Sequence, residues 1–313
     1  MRKLNVGIIG AGFMSKAHSL AYATMPMFFW PAPAIPVRAV LADINEQSAA
    51  DAAARFGFER STGDWRTIIA DPTIDIVDIA TPNDSHAEIA IASAKAGKHI
   101  LCEKPIARTT EEARQMVEAV RKAGIINMLA FNYRKTPAIA YAKKLIQNGE
   151  IGQVRNFRAT YLQDWSADPN APLSWRFRKS VAGSGTLGDI GTHVIDIARY
   201  LVSDIAEVSA LLKTYVSERP IQTSGLDALG TIKLNGNVEK GAVDVDDEIM
   251  TMLKFDNGSV GSLEATRNAW GRNNFITLEI HGETGSIYFN YERRDELQVC
   301  FANDPADRKG FRT

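Results

Sequence analysis

From residue 4 to about residue 132, short apolar, β-branched runs alternate with stretches whose apolar residues recur at helical spacing. That alternation predicts βαβ units and a parallel sheet. The predicted strands are Leu4 to Ile9, Val37 to Ala42, Ile74 to Ala80, His99 to Cys102 and Ile126 to Phe131. The clearest helices between them are Glu46 to Phe56, Ser85 to Ala96, with Asp84 as N-cap and Gly97 closing it, and Thr110 to Ala123, closed by Gly124. Met25 to Val37 is apolar but carries Pro26, Pro31, Pro33 and Pro36, so it reads as a long, partly buried loop.

After Pro137 a helix from Ala138 to Gln147 ends near Gly149, and the texture changes to longer alternating strands. These are Val154 to Leu162, Val208 to Val216, Ile249 to Phe255, Ser259 to Ala265, Ile276 to His281 and Ser286 to Tyr291. Asp256-Asn257-Gly258 and Gly282 to Gly285 read as hairpin turns, so this half is a largely antiparallel sheet. One strong helix interrupts it, Thr186 to Leu201, with Leu187, Ile190, Val194, Ile197 and Leu201 forming an apolar stripe. The expected fold is α/β: an N-terminal Rossmann doubly wound parallel sheet over residues 1–132, then an α+β domain with a large, mostly antiparallel open sheet over residues 133–313.

Composition narrows the function more than the fold. The chain has 313 residues and a formal net charge of -1, with no basic run to attract nucleic acid or an anionic membrane, so a small partner is expected. Cys102 and Cys300 are too few for a disulfide framework and read as reduced thiols of a cytoplasmic protein, the more so because a glycine motif follows Met1 too closely for a signal peptide. The five histidines are scattered, so no metal site is expected.

The chemistry begins at Gly10-Ala11-Gly12-Phe13-Met14-Ser15, between a strand and a helix. Gly10 allows a tight turn, Gly12 lets backbone approach a pyrophosphate, and the helix N-terminus offers N–H groups and a positive dipole. Ser15 stands where a third glycine packs helix on strand. Asp43 ends the second strand, where a carboxylate can accept from a ribose or simply cap the next helix. Thr81-Pro82-Asn83, Glu103-Lys104-Pro105 and Asn132-Tyr133-Arg134 follow the carboxyl ends of three further strands, the edge at which open α/β sheets bind ligands.

In the second half, Asp189 and His193 are spaced i, i+4 and should share one helix face, continued by Asp196 and Tyr200. The competing reading makes Thr186 the cap, has Asp189 favour the N-terminus and leaves His193 facing water. Gly191 favours a site, because a mid-helix glycine costs about 1 kcal/mol and a close ligand would explain it. Trp165 and Trp175, among Asp164, Asp168 and Arg176, read equally well as an aromatic wall over a sugar or as core beneath a loop.

The set GAGFMSKAH, TPNDSHAE, EKP, NYR, WRF and GTLGDIGTHVIDIARYL, in that order, resembles the Gfo/Idh/MocA family (glucose-fructose oxidoreductase/inositol dehydrogenase) over essentially the whole chain. The segments MPMFFWPAPAIPVR, TYLQDWSADPN and NYERRDELQV draw the resemblance toward oxidation of a levoglucosan-like anhydrosugar. The resemblance implies an NAD-dependent dehydrogenase that oxidises a secondary hydroxyl of a sugar, anhydrosugar or inositol-type polyol to a ketone. It assigns catalysis to Lys104, Asp189 and His193, and lines the cofactor with Phe13, Met14, Thr81, Asn83, His86, Glu103 and Lys104 beside Gly10, Gly12 and Asp43. Arg134, Trp165 and Trp175 fall on the substrate side, together with Lys104, Asp189 and His193. It also implies a homo-oligomer, dimer or tetramer, formed through the C-terminal sheet, and a chain continuing past Thr313. Three alternatives stay open: a non-catalytic sugar- and dinucleotide-sensing protein, a reductase, or a redox-neutral enzyme of the same fold. Asp43 favours NAD over NADP, since its charge opposes a 2′-phosphate.

Overall fold

The structure, a computed structural model, describes residues 1–221 and 239–313. It divides into two compact units, Met1–Ala130 and Phe131–Thr313.

In the first unit the elements run β1 (Lys3–Ile9), α1 (Phe13–Phe28), β2 (Ile35–Ala42), α2 (Glu46–Phe56), β3 (Arg60–Thr62), α3 (Trp65–Ala70), β4 (Ile76–Ile79), α4 (His86–Lys95), β5 (His99–Cys102), α5 (Thr110–Ala123) and β6 (Asn127–Leu129). The strands are all parallel, in the order β3-β2-β1-β4-β5-β6, which is the doubly wound Rossmann arrangement. The chain reverses direction of winding between β1 and β4, which places the crevice for a ligand above that pair. Helices cover both faces, so the successive residues Val6, Gly7, Ile8 and Ile9 are all buried instead of alternating with exposed ones. The strand β3 and the helix α3 are too short to have shown a period in the sequence.

Three local expectations change. α1 continues through Pro26 to Phe28, because a proline in the last turn removes little of the hydrogen-bond ladder, and Phe29 N–H still donates to the Met25 carbonyl at 3.0 Å. The loop after it is therefore shorter than expected, residues 29–34, and is partly buried through Ala32 and Ala34 while Phe29 and Trp30 are exposed. Asp84 does not cap α4; it lies in a 3-10 turn, Asn83–Ser85, that precedes the helix.

The second unit runs α6 (Pro137–Gln147), β7 (Val154–Leu162), the single turn α7 (Lys179–Ala182), α8 (Thr192–Leu201), β8 (Ile205–Lys213), β9 (Glu218–Pro220), β10 (Lys240–Ala242), β11 (Glu248–Phe255), β12 (Val260–Thr266), β13 (Phe275–Gly282), β14 (Gly285–Asn290) and β15 (Gln298–Phe301). Its main sheet has the order β15-β14-β13-β7-β12-β11-β8, antiparallel except for the β7–β12 pair. The helices α6 and α8 fill one face with Ile139, Leu145, Val194, Ile197 and Leu201 against Phe157, Leu263 and Ile276. On the other face β11 alternates buried and exposed positions, and Met250 and Met252 point outward beside Leu211 of β8.

The expected long helix starts with a wide π-helical turn, Leu187–Gly191, before α8. Its cap is not Thr186, whose hydroxyl donates to the Asp247 carbonyl at 2.8 Å. Asp246 does the capping: its carboxylate accepts Gly185 N–H at 2.8 Å and Leu187 N–H at 2.7 Å. Gly185 is obligatory there, since a Cβ would lie 1.9 Å from the Asp246 carbonyl oxygen. Gly191 is buried against the sheet, where a Cβ would sit 3.8 Å from Ile249. This is an ordinary van der Waals distance, so packing against the sheet does not by itself require a glycine here.

Candidate active site

The glycine turn of the first unit has the shape a dinucleotide needs. Gly10 adopts a φ of +105°, and a Cβ on it would strike the Ala80 carbonyl oxygen at 2.5 Å, so β1 and β4 can close only around a glycine. Ser15 is fully buried and its hydroxyl donates to the Gly10 carbonyl at 2.5 Å, which keeps the helix close to the strand as a third glycine would. Gly12 begins α1 with no side-chain cap, and a Cβ there would meet nothing within 4 Å. Bare N–H groups at the positive end of a helix, with room above them, fit a pyrophosphate. Phe13 is exposed and Met14 half-buried on the same turn.

Asp43 is tied to this turn. One carboxylate oxygen accepts Ala11 N–H at 2.9 Å and the other accepts Asn45 N–H at 3.0 Å. It is not the cap of α2, which is Asn45, accepting from Ser48 N–H at 2.9 Å. Arg38 is engaged elsewhere, donating to the Phe56 carbonyl at 2.7 Å, so it does not neutralise Asp43.

The strand ends beyond β1 carry the other predicted residues. Asn83 and Glu103 are buried, while Thr81 and Lys104 are half-buried. The Lys104 backbone N–H donates to Glu103 Oε2 at 3.1 Å. His86 has a fully buried ring, with Nδ1 3.0 Å from the Pro105 carbonyl and Nε2 3.1 Å from the Thr81 carbonyl. It joins the two strand-end turns, and burial holds its pKa below the usual histidine value.

Sequence reasoning missed a charged array beneath these turns. His18 Nδ1 lies 3.0 and 2.9 Å from the two oxygens of Asp78, and Nε2 lies 3.1 Å from Glu103 Oε1. Tyr22 donates to Asp78 at 2.8 Å. Burial alone would lower the His18 pKa, but the two carboxylates outweigh it and raise it to about 10. The available signal was one aspartate in the otherwise apolar strand Ile76–Ile79.

In the second unit, His193 is buried, so it does not face water. Its ring meets Tyr133 edge-on at 4.7 Å, with Phe131 at 5.8 Å and Tyr161 at 6.1 Å. The hydroxyls of Tyr133 and Tyr161 are 2.8 Å apart, and Tyr161 donates to Asn274 Oδ1 at 2.8 Å. Gln163 continues the string, donating to the same Asn274 oxygen at 3.0 Å and accepting from the Trp165 indole at 2.9 Å. Burial pushes the pKa of both tyrosines up, so they remain neutral donors. Asp189 lies in the π-helical turn that leads into α8, and its carboxylate is 3.3 Å from Arg267.

Arg134 forms a two-pronged pair with buried Asp196, Nε to Oδ2 at 2.8 Å and Nη2 to Oδ1, and lies over the Tyr200 ring. The polar stripe foreseen after His193 is thus a buried ion pair. Trp165 covers Arg267 and packs on Phe177, as the core reading expected, whereas half-buried Trp175 carries Arg176 on its face at 4.4 Å. Fully buried Arg219 fixes this loop by donating to the carbonyls of Asp168 at 2.7 Å and Ser166 at 2.5 Å. Among the described residues no group of three or more His, Cys, Asp or Glu gathers as a metal site, and no helix is long and apolar enough to cross a membrane.

Comparison with known proteins agrees with this construction. The profile of the oxidoreductase family, NAD-binding Rossmann fold, matches residues 4–131, and that of the GFO/IDH/MocA C-terminal domain matches residues 139–288. The chain belongs to the GFO/IDH/MocA family of oxidoreductases, and its first unit is an NAD-binding Rossmann domain. It is 68% identical to levoglucosan dehydrogenase of Pseudarthrobacter phenanthrenivorans over 313 residues, all of this chain and 80% of that protein. It is 31% identical to the scyllo-inositol 2-dehydrogenase (NAD(+)) of Bacillus subtilis over 256 residues, 81% of this chain and 66% of that one. A solved levoglucosan dehydrogenase in complex with NADH and levoglucosan superposes with a TM-score of 0.93 at 66% identity, covering 99% of this chain and 79% of that chain.

Proposed function

We propose that the protein is an NAD-dependent dehydrogenase that oxidises a secondary hydroxyl of an anhydrosugar such as levoglucosan to a ketone, with related sugars and inositols as poorer substrates. The observation that carries this reading is the 68% identity to levoglucosan dehydrogenase across the whole chain, joined by the presence of Lys104 in its EKP motif and of Asp189 and His193 in the DIGTH motif. Their joint presence favours catalysis over a purely sensing role.

NAD would rest its pyrophosphate on the Gly10–Gly12 turn and its adenosine ribose near Asp43; when bound it accepts the hydride of the carbinol carbon. The residues of the chain then have a proton and a developing oxyanion to manage. His193 takes the hydroxyl proton, a role for which imidazole is suited near neutral pH, and passes it to solvent. Its aromatic surroundings limit water and hold the ring's orientation. Asp189, set by Arg267, orients the substrate hydroxyl, and Lys104 stabilises alkoxide charge by Coulomb attraction. Tyr133 and Trp165, at the two ends of one hydrogen-bond string, are candidates to meet the sugar.

The outward apolar side chains of β8 and β11 support a homo-oligomer formed through this sheet, and two unpaired cysteines, Cys102 and Cys300, suit the cytoplasm. The direct test is to incubate the protein with NAD and each of levoglucosan, myo-inositol and glucose, following reduced-nicotinamide absorbance and identifying the product. Levoglucosan should give the highest kcat/KM and a ketone product. A redox-neutral product, or no turnover with any sugar, would overturn the reading.

A further inference from the structure

The strand Ile76–Ile79 buries one charged side chain, Asp78, and the helix Phe13–Phe28 carries the half-buried histidine that answers it, His18. Both nitrogens of His18 face carboxylates, Nδ1 toward Asp78 at 2.9 Å and Nε2 toward Glu103 at 3.1 Å. A neutral imidazole has one N–H and could serve only one of them, so this geometry calls for an imidazolium. Tyr22, one turn further along α1, donates to the same Asp78 and fixes its rotamer at 2.8 Å. Glu103 spends its second oxygen on the backbone N–H of Lys104, at 3.1 Å. The chain of contacts therefore runs from α1 through β4 to the first atom of Lys104.

Burying one cation and two anions is seldom a net gain in stability over apolar packing, so its value must be sought in what it holds in place. What it holds is the turn after β5. On the near side Glu103 grips the Lys104 amide; on the far side His86 meets the Pro105 carbonyl at 3.0 Å. We infer that His18 is a positioning residue for Lys104: its imidazolium ties Glu103 to Asp78, and the Glu103 carboxylate so fixed holds the Lys104 backbone. This rests on the reading of Lys104 as catalytic, but the positioning can be measured without catalysis.

The experiment compares His18→Ala, His18→Gln and Lys104→Ala in the full chain, with two readouts. The first is hydrogen exchange of the peptide spanning residues 99–108, followed by mass spectrometry. The second is the split of kcat and KM with NAD and levoglucosan. Loss of a charge-assisted hydrogen bond should accelerate exchange at the Lys104 amide by about tenfold or more in His18→Ala, while α5 stays protected. The kcat should fall by a similar factor with both KM values little changed, and His18→Gln, which keeps a donor for Glu103, should recover part of both effects. The double variant His18→Ala/Lys104→Ala should be no slower than Lys104→Ala alone. If His18→Ala does not fold, His18→Gln carries the exchange readout, with an intermediate acceleration expected. Unchanged exchange over residues 99–108 in a folded His18 variant would overturn the inference. Faster exchange together with normal turnover in Lys104→Ala would instead leave the positioning intact and overturn the catalytic reading of Lys104.

Discussion

The carboxylate of Asp189 is paired with a guanidinium that has no exposure to solvent: Arg267 Nη1 lies 3.3 Å from Asp189 Oδ2, beneath the ring of Trp165. The pair joins the π-helical turn to the end of β12, so the direction of the Asp189 side chain is set by the sheet and by the tryptophan loop together. Arg267→Met should remove that guanidinium from the carboxylate and cost about 3 kcal/mol of stability, read as a lower Tm. Turnover per folded molecule should fall by about tenfold or more. Arg267→Lys should rescue poorly, because an ammonium cannot reproduce the planar stacking on Trp165 and Phe177. Normal kcat in folded Arg267→Met would detach Asp189 from the chemistry.

Asp43 should set the choice of cofactor. A 2′-phosphate about 4 Å from an ionised carboxylate is opposed by roughly 4 kcal/mol at an effective dielectric near 20, and even a third of that is about tenfold in affinity. Arg38 is held at the Phe56 carbonyl, 2.7 Å away, and does not relieve the repulsion. Wild-type kcat/KM should favour NAD over NADP, and Asp43→Ala should narrow the gap. Because Asp43 also holds the Ala11 amide, that variant should raise the KM for NAD as well. Equal use of both cofactors by the wild type would remove Asp43 from this role.

The His18 array makes a prediction about pH. Its pKa is raised from 6.5 to about 10 despite burial, by the hydrogen bonds and charges of Asp78 and Glu103. A folded-state value above the unfolded one gives stability that is complete below about 6.5 and is lost as pH climbs through about 10. The other groups facing the array, Tyr22 and Cys102, are pushed up by burial and by the same carboxylates, out of that interval. The Tm advantage of wild type over His18→Gln should therefore shrink between those two pH values. A constant difference would mean that His18 is not held protonated.

The outward face of the second sheet should be an assembly surface. Leu211 and Met250 are directly paired across β8 and β11, and they are 77% and 49% exposed. Leu211→Lys with Met252→Lys should drive the protein to a slower-sedimenting species without changing the secondary structure seen by circular dichroism. Unaltered sedimentation would place the interface elsewhere.

Much of this was legible in the sequence because it rests on periodicity and on glycine. The helices Glu46–Phe56 and Thr110–Ala123 and the strand Val154–Leu162 have the bounds that spacing and caps indicate. The Gly10 turn could be read because no other residue fits it. Position along the chain does not reveal which charges are inside. Arg267, Arg219 and Asp78 have the sequence signature of surface residues and are fully buried, each compensated by a partner 78, 51 or 60 residues away.

The central claim is that Lys104, Asp189 and His193 perform hydride-transfer chemistry on a sugar alcohol with NAD. Single-turnover formation of reduced nicotinamide from levoglucosan, measured in wild type and in His193→Ala at saturating NAD, tests it most directly. The account predicts that the wild type transfers hydride to NAD, and that His193→Ala slows the step by about 100-fold or more while binding NAD with nearly unchanged affinity. A His193→Ala protein that transfers hydride at the wild-type rate would contradict it.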